Sequence, residues 1–410
     1  MKNVLIFFGV SILALALIVA WPGAVDTAHP DTPDGAENVA AGTNRFAFDL
    51  YRCLADDPVH AGENLFFSPY SISSALAITG EGARGTTADE IGAVLHLPAN
   101  ETLRREGFAA IDASLNRGSG NYTLRTANAL WAEKTHLFLP EYIDAAGRWY
   151  GANVTNLDFI ENPGGARVTI NRWVEGKTEG KIRDLLPPGS IDSMTRLVIT
   201  NAIYFKGTWA EQFDPDRTTE EGFRVDSGTT VPVRMMHGDA VYPYTETETL
   251  RVLEMPYARG DETELSMLVL LPKEDDLAAV EENLDREKVV ELRESLDSQK
   301  VMVFFPKFTL ETEYFLPGAL SAMGMPTAFT DDADLSGMDG TRDLFITGVF
   351  HKAFVDVNEE GTEAAAATGI AVGGGVTPIF RADHPFVFLI IEKDSGAILF
   401  MGRIVNPVGS

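Results

Sequence analysis

Seven histidines (His29, His60, His96, His136, His237, His351 and His384) and one cysteine, Cys53, are the side chains of widest chemical range in this 410-residue sequence. Their spacing supports little chemistry. No two histidines stand one helical turn apart, so the pairing that would hold a metal on one helix face is missing. H-E-x-x-H, G-x-S-x-G and the P-loop lysine motif are missing too. A triad assembled only by folding stays open, because its members need not be neighbours in sequence. Cys53 follows Tyr51 and Arg52 in an amphipathic segment and reads as a small core residue rather than a reactive thiol. Being alone, it excludes an intramolecular disulfide. "GEGARG" (80–85) fits a dinucleotide-binding pattern, but it follows the helical "SISSALAIT" and would set Glu81 beside a pyrophosphate. A helix C-cap and turn is the better reading. The triplet Gly373, Gly374, Gly375 would suit an oxyanion loop, yet no nucleophile motif accompanies it. Neither metal nor cofactor is expected.

The elements that must position any site are readable from the apolar pattern. "RFAFDLYRCL" places Phe46, Leu50 and Leu54 about one turn apart, and "VTINRWVEGKTEG" repeats that spacing through Ile170, Trp173 and Val174. After about Arg196 the runs become β-rich: "LVITNAIYF", "LSMLVLL", "VMVFF", "FVFLII" and "AILFM". Several are continuous, which predicts strands buried on both faces. The expected class is α+β, with helices packed on large, mainly antiparallel sheets. With 33 Lys and Arg against 60 Asp and Glu, the net charge of −27 disfavours nucleic acid and anionic lipid as partners. Residues 1–25, with Lys2 before an apolar run from Val4 to Ala20, predict a signal peptide or an N-terminal membrane anchor, and residues 26–43 a flexible linker. The expected location is therefore secreted or extracytoplasmic, with membrane anchoring as the alternative. Sequons at Asn100, Asn121 and Asn153 fit an exported chain.

"EEGTEAAAATGIAVGGGVTP" (359–378) separates two strand candidates, "FHKAFVDV" and "PFVFLIIE". A connection of about twenty residues inside one domain usually has a function. Its first half leads from three glutamates into a run of small side chains, Ala364 to Thr368. A short alanine helix would have no apolar face to bury, so helix propensity does not explain the composition.

Five segments in order resemble the serpins, the family of serine-protease inhibitors. They are "NLFFSPYSISSAL" (64–76), "NRWVEGKTEGKIRDLL" (171–186), "TNAIYFKGTWAEQFDP" (200–215), "FHKAFVDVNEEGTEAAAAT" (350–368) and "HPFVFLIIEKDSGAILFMGRIVNP" (384–407). The resemblance implies a serpin fold over residues 44–408 with an exposed reactive-centre loop at about 359–380. It implies an inhibitor rather than an enzyme. A serine protease cleaves the loop and is trapped as a 1:1 covalent acyl-enzyme when the loop inserts into the central sheet. The hinge would be Glu359, Glu360, Gly361, Thr362, Glu363, Ala364, Ala365, Ala366, Ala367 and Thr368. Inserted as a strand, Thr362, Ala364, Ala366 and Thr368 would face inward, and Glu363 outward. None of the inward four is large or charged.

By the same resemblance Ser68, Ser71, Asn201 and His351 form a polar shutter under the central strands. Each alone has an ordinary reading, Ser68 as a helix N-cap and His351 as a satisfied core residue. The bond cut by the protease would follow Gly375, with Val376, Gly374 and Val372 as register alternatives. No residue between Ala364 and Phe380 is charged, which points to an elastase-like or subtilisin-like target rather than a trypsin-like one. The alternative is a non-inhibitory serpin acting as a binding or storage protein. A monomer is expected.

Overall fold

The computed structural model describes residues 33–116, 122–258, 264–274, 276–361 and 377–408. In chain order, helix α1 (Pro33–Ala55) and strand β1 (Leu65–Phe67) lead into helices α2 (Pro69–Gly82), α3 (Gly85–Val94) and α4 (Glu101–Asn116). Strand β2 (Tyr122–Glu133), helix α5 (Pro140–Tyr150), strand β3 (Asn153–Leu157) and helix α6 (Pro163–Lys177) follow. Five strands come next: β4 (Leu197–Gly207), β5 (Thr219–Arg224), β6 (Thr230–Glu246), β7 (Leu250–Pro256) and β8 (Leu265–Pro272). Helices α7 (Leu277–Glu282) and α8 (Arg286–Glu294) precede β9 (Asp297–Pro306) and β10 (Phe308–Phe315). The chain ends with α9 (Pro317–Met323), α10 (Ser336–Asp339), β11 (Ile346–Val357), β12 (Ile379–Arg381), β13 (Phe386–Glu392) and β14 (Ile398–Ile404).

These strands form a nine-stranded sheet and a five-stranded sheet. The five-stranded sheet has the order β10-β11-β4-β2-β3. Its central strand β4 runs parallel to its neighbour β11, with Ala353 opposite Ile203 and Val355 opposite Phe205, while β10 and β2 flank the pair antiparallel. Parallel neighbours need a long crossover, and 138 residues separate Gly207 from Ile346 here.

The continuous apolar run of β4 has a direct physical cause. Its odd positions, Ile199, Ile203 and Phe205, join the main core, while Val198 and Ala202 face a second apolar cluster with Ile170 and Val174 of α6, Ile182 and Leu185. Both faces are covered, so alternation of polar and apolar residues is lost. The other expected strands appear as β8, β9, β13 and β14, and both helical patterns fall in α1 and α6.

Two expectations at the N-terminus need correction. Residues 33–43, read as linker, belong to α1. Ala36, Val39, Ala40 and Thr43 continue the i, i+3, i+4 stripe of Phe46, Ala47 and Leu50 onto the core, and Gly35 crosses Gly107 of α4 so closely that a Cβ on Gly107 would strike the Gly35 carbonyl. Glycine and proline masked an amphipathic stripe. The membrane anchor is also withdrawn: among the described residues no helix is long and apolar enough to cross a membrane. Helix α1, the longest among the described residues, carries Asp49, Arg45 and Arg52 and spends its apolar face on the core. Residues 1–25 lie outside the described residues.

Candidate functional site

Strand pairing places four polar side chains in one row across the five-stranded sheet. Tyr314 lies opposite His351, His351 opposite Asn201, and Asn201 opposite Asn128. Helix α2 comes in beneath them. Ser68 caps its N-terminus ahead of Pro69, accepting the Ser71 N–H at 3.2 Å, and donates its own hydroxyl to the Leu399 carbonyl at 2.6 Å. The Ser68 backbone N–H donates to His351 Nε2 at 3.1 Å. His351 Nδ1 therefore carries the proton and donates to Asn201 Oδ1. The Asn201 amide donates to Ser71 Oγ at 2.5 Å and to Asn128 Oδ1, which also accepts the Ser71 hydroxyl at 3.2 Å.

All four residues expected to cluster by resemblance, Ser68, Ser71, Asn201 and His351, thus share one buried network. Asn128 was missed. Its signal was present, since "TANALW" and "ITNAIY" each set an asparagine inside an apolar strand run. Such networks matter because each buried polar group left unpaired costs about 1–3 kcal/mol. The bond between His351 and Asn201 is the one that crosses from β11 to β4, so parting those strands breaks it.

Burial holds the His351 imidazole neutral, with its pKa lowered to about 3 against a hydrogen bond that raises it. The sign of the pH dependence follows. The unfolded chain takes up this proton near pH 6.5, the folded one only near 3, so between these values the unfolded state binds more protons. Stability from this group is full above about pH 6.5 and falls by at most about 1.4 kcal/mol per unit below it. Urea unfolding at about pH 7.5 and about pH 5 should show a loss that His351→Gln reduces; an equal loss in both proteins would contradict the assignment.

At the upper end of β11 the chain enters the expected hinge. The Glu359 carboxylate is buried, accepting Lys307 Nζ at 2.6 Å and the Thr218 hydroxyl at 2.7 Å. Burial pushes its pKa up, but these hydrogen bonds and the lysine charge outweigh that and hold it below the ordinary glutamate value. Backbone contacts fix the same segment: Trp209 Nε1 donates to the Asn358 carbonyl at 3.0 Å, Gln212 to that of Glu360 at 3.0 Å, and the Phe213 N–H to that of Glu359 at 3.1 Å. Trp209 in turn stacks on Tyr257 at 4.5 Å. Gly361 has φ +52 and presses against the end of β4, where a Cβ would run into the Trp209 nitrogen and the Thr208 backbone. Only glycine fits here. Glu359→Gln should lower stability by about 1–2 kcal/mol through loss of the charge-assisted bond. A melt several degrees lower at neutral pH, with the difference shrinking once the pH falls below the ordinary glutamate value and closing as it passes through the lowered pKa of the folded carboxyl, checks this.

The hinge residues Thr362, Glu363, Ala364, Ala365, Ala366, Ala367 and Thr368, and the cleavage candidates Gly375, Val376, Gly374 and Val372, lie outside the described residues. The chain is described again at Thr377 and enters β12, which pairs parallel to the edge of β9. Arg381 is no bait residue. Its guanidinium donates to Glu221 at 2.5 Å and covers the Phe304 ring at 3.6 Å. The described residues on either side of this segment are anchored, Gly361 beside β4 and β12 on the other sheet. Among the described residues no group of three or more His, Cys, Asp and Glu could hold a metal ion.

A five-stranded sheet in which β11 and β4 pair in parallel, with Gly361 just past the end of β11, belongs to an α+β fold whose β11–β4 boundary is the seam of the sheet. Residues 41–407 match the family model described as serpin (serine protease inhibitor), and the chain belongs to the serpin family. It is 44% identical to the leukocyte elastase inhibitor of Bos taurus over 383 residues, covering 90% of this chain and 100% of that protein. Among solved structures it is similar to uncleaved ovalbumin, with a TM-score of 0.82 and 33% identity over 90% of this chain and 100% of that one. Human thyroxine-binding globulin complexed with its hormone gives a TM-score of 0.82 and 32% identity over 91% and 99% of the two chains. The family is described as one of serine protease inhibitors, not of enzymes.

Proposed function

We propose that this serpin inhibits serine endopeptidases as a suicide substrate, and that residues from Thr362 onward become a new strand between β11 and β4. The observation that carries this is the parallel pairing of those two strands beside Gly361. A chain that turns back at the end of β11 runs antiparallel to it. Placed between β11 and β4 it is antiparallel to both, exchanging one parallel ladder for two antiparallel ones, which are slightly more stable per residue. The protease, held as an acyl-enzyme on the cleaved loop, is carried along as the loop inserts.

Thyroxine-binding globulin is a structural neighbour at a TM-score of 0.82, so the fold alone does not separate protease inhibition from ligand binding. The hinge composition supports the inhibitory reading. Gly361 to Thr368 contains no proline and nothing larger than threonine at the inward positions Thr362, Ala364, Ala366 and Thr368. The absence of charge from Ala364 to Phe380 supports a protease with a small apolar primary pocket, and the leukocyte elastase inhibitors among the relatives agree with an elastase-like target. Cleavage after Gly375, or at Gly374, Val376 or Val372, is part of the same proposal. The polar row at Ser68, Ser71, Asn128, Asn201 and His351 would hold the seam closed until then.

Incubation with elastase-, subtilisin-, chymotrypsin- and trypsin-like enzymes tests this. An SDS-resistant 1:1 complex with one of the first two is the expected result. Clean loop cleavage by the whole panel with no complex would overturn it.

A further inference from the structure

Away from the seam, a cleft of about 590 Å³ opens between the 248–250 turn, the end of β8 and helices α7 and α8. Four buried side chains from separate segments line its floor: Leu250 of β7, Pro272 of β8, Val280 of α7 and Leu284 just beyond it. The rim has the opposite character. Glu248, Glu274 and Asp276 stand exposed around it, with Lys288 as the only cation among the described lining residues, and Lys288 Nζ is occupied by Glu291 at 3.0 and 3.1 Å. None of Glu359, Glu360, Gly361, the polar row or β12 lines this place.

The volume falls in the range of small-molecule pockets, which are mostly apolar with a few convergent polar groups. An apolar body would be drawn to the floor, while three carboxylates against one engaged lysine favour a positive head group at the mouth. The overall charge of −27 adds long-range attraction of the same sign. We propose that this cleft binds an amphipathic organic cation, a primary amine on an aliphatic or aromatic body, with the body on Leu250, Pro272, Val280 and Leu284 and the ammonium between Glu248 and Glu274. This inference does not depend on protease inhibition.

Calorimetric titration of the full chain with phenylbutylamine, and with phenylbutanol as its uncharged counterpart, tests the proposal. The amine should bind at one saturable site, about tenfold or more tighter than the alcohol. Combining Glu248→Gln with Glu274→Gln should bring the amine down to the alcohol's affinity. Ala279→Trp, at an exposed position on the lining, should block the mouth and abolish binding of both, with a thermal melt showing that the variant folds. Three results would overturn the proposal: no saturable binding of the amine up to millimolar concentration, equal affinity for amine and alcohol, or amine binding that survives Ala279→Trp.

Discussion

Replacing Thr362 with Arg should turn the proposed inhibitor into a substrate. In the proposed inserted state Thr362 is the first inward-facing residue beyond Gly361, entering between β11 and β4 near Val355 and Phe205, both buried. A guanidinium placed there without a partner costs several kcal/mol. The acyl-enzyme chooses between insertion and hydrolysis, and each 1.4 kcal/mol added to the insertion barrier shifts that choice about tenfold. The variant should be cut at the normal rate while its stoichiometry of inhibition rises by about tenfold or more. Glu363→Arg, on the outward face, should leave it nearly unchanged. Equal effects at both positions would remove strand parity as the explanation.

Cleavage of the loop between Val372 and Val376 should raise the melting temperature by about 20 °C or more. The inserted strand would make on the order of ten new backbone hydrogen bonds within a sheet, each with a net value of about 0.5–1.5 kcal/mol. A gain of that order, spread over a large domain, corresponds to a shift of tens of degrees. Differential scanning calorimetry before and after limited cleavage reads it directly. An unchanged or lowered melting point would mean that the native sheet has no place for the strand.

How far the sequence carried this account depends on the kind of signal. The late strands were legible because burial on both faces leaves continuous apolar runs, as in β4 and β13. Ser68, Ser71, Asn201 and His351 could be grouped only through family resemblance, because polar residues distant in sequence do not announce their neighbours. Asn128 escaped for that reason, although its register partner is Asn201. The environment of Glu359 was equally hidden: Lys307 and Thr218 lie 52 and 141 positions away, so a residue expected as a hinge component emerges as a buried ion-pair partner. The start of α1 was misread where glycine, proline and aspartate composition outweighed a real helical stripe. Strand β12 was overlooked because three residues on a sheet edge carry too short a pattern to stand out.

The central claim is that β11 and β4 must part. A reversible lock tests it most directly. Ala353 and Ile203 lie opposite each other across the seam, at the separation of neighbouring strands, which falls in the range a disulfide spans. Ala353→Cys with Ile203→Cys, in a Cys53→Ala background, would tie the two strands together when oxidised. The measurement is the yield of SDS-resistant complex with an elastase-like protease before and after reduction. The account predicts loop cleavage without complex in the oxidised protein, and recovery of the complex once the bond is reduced. A locked protein that traps protease as well as the reduced one would contradict it.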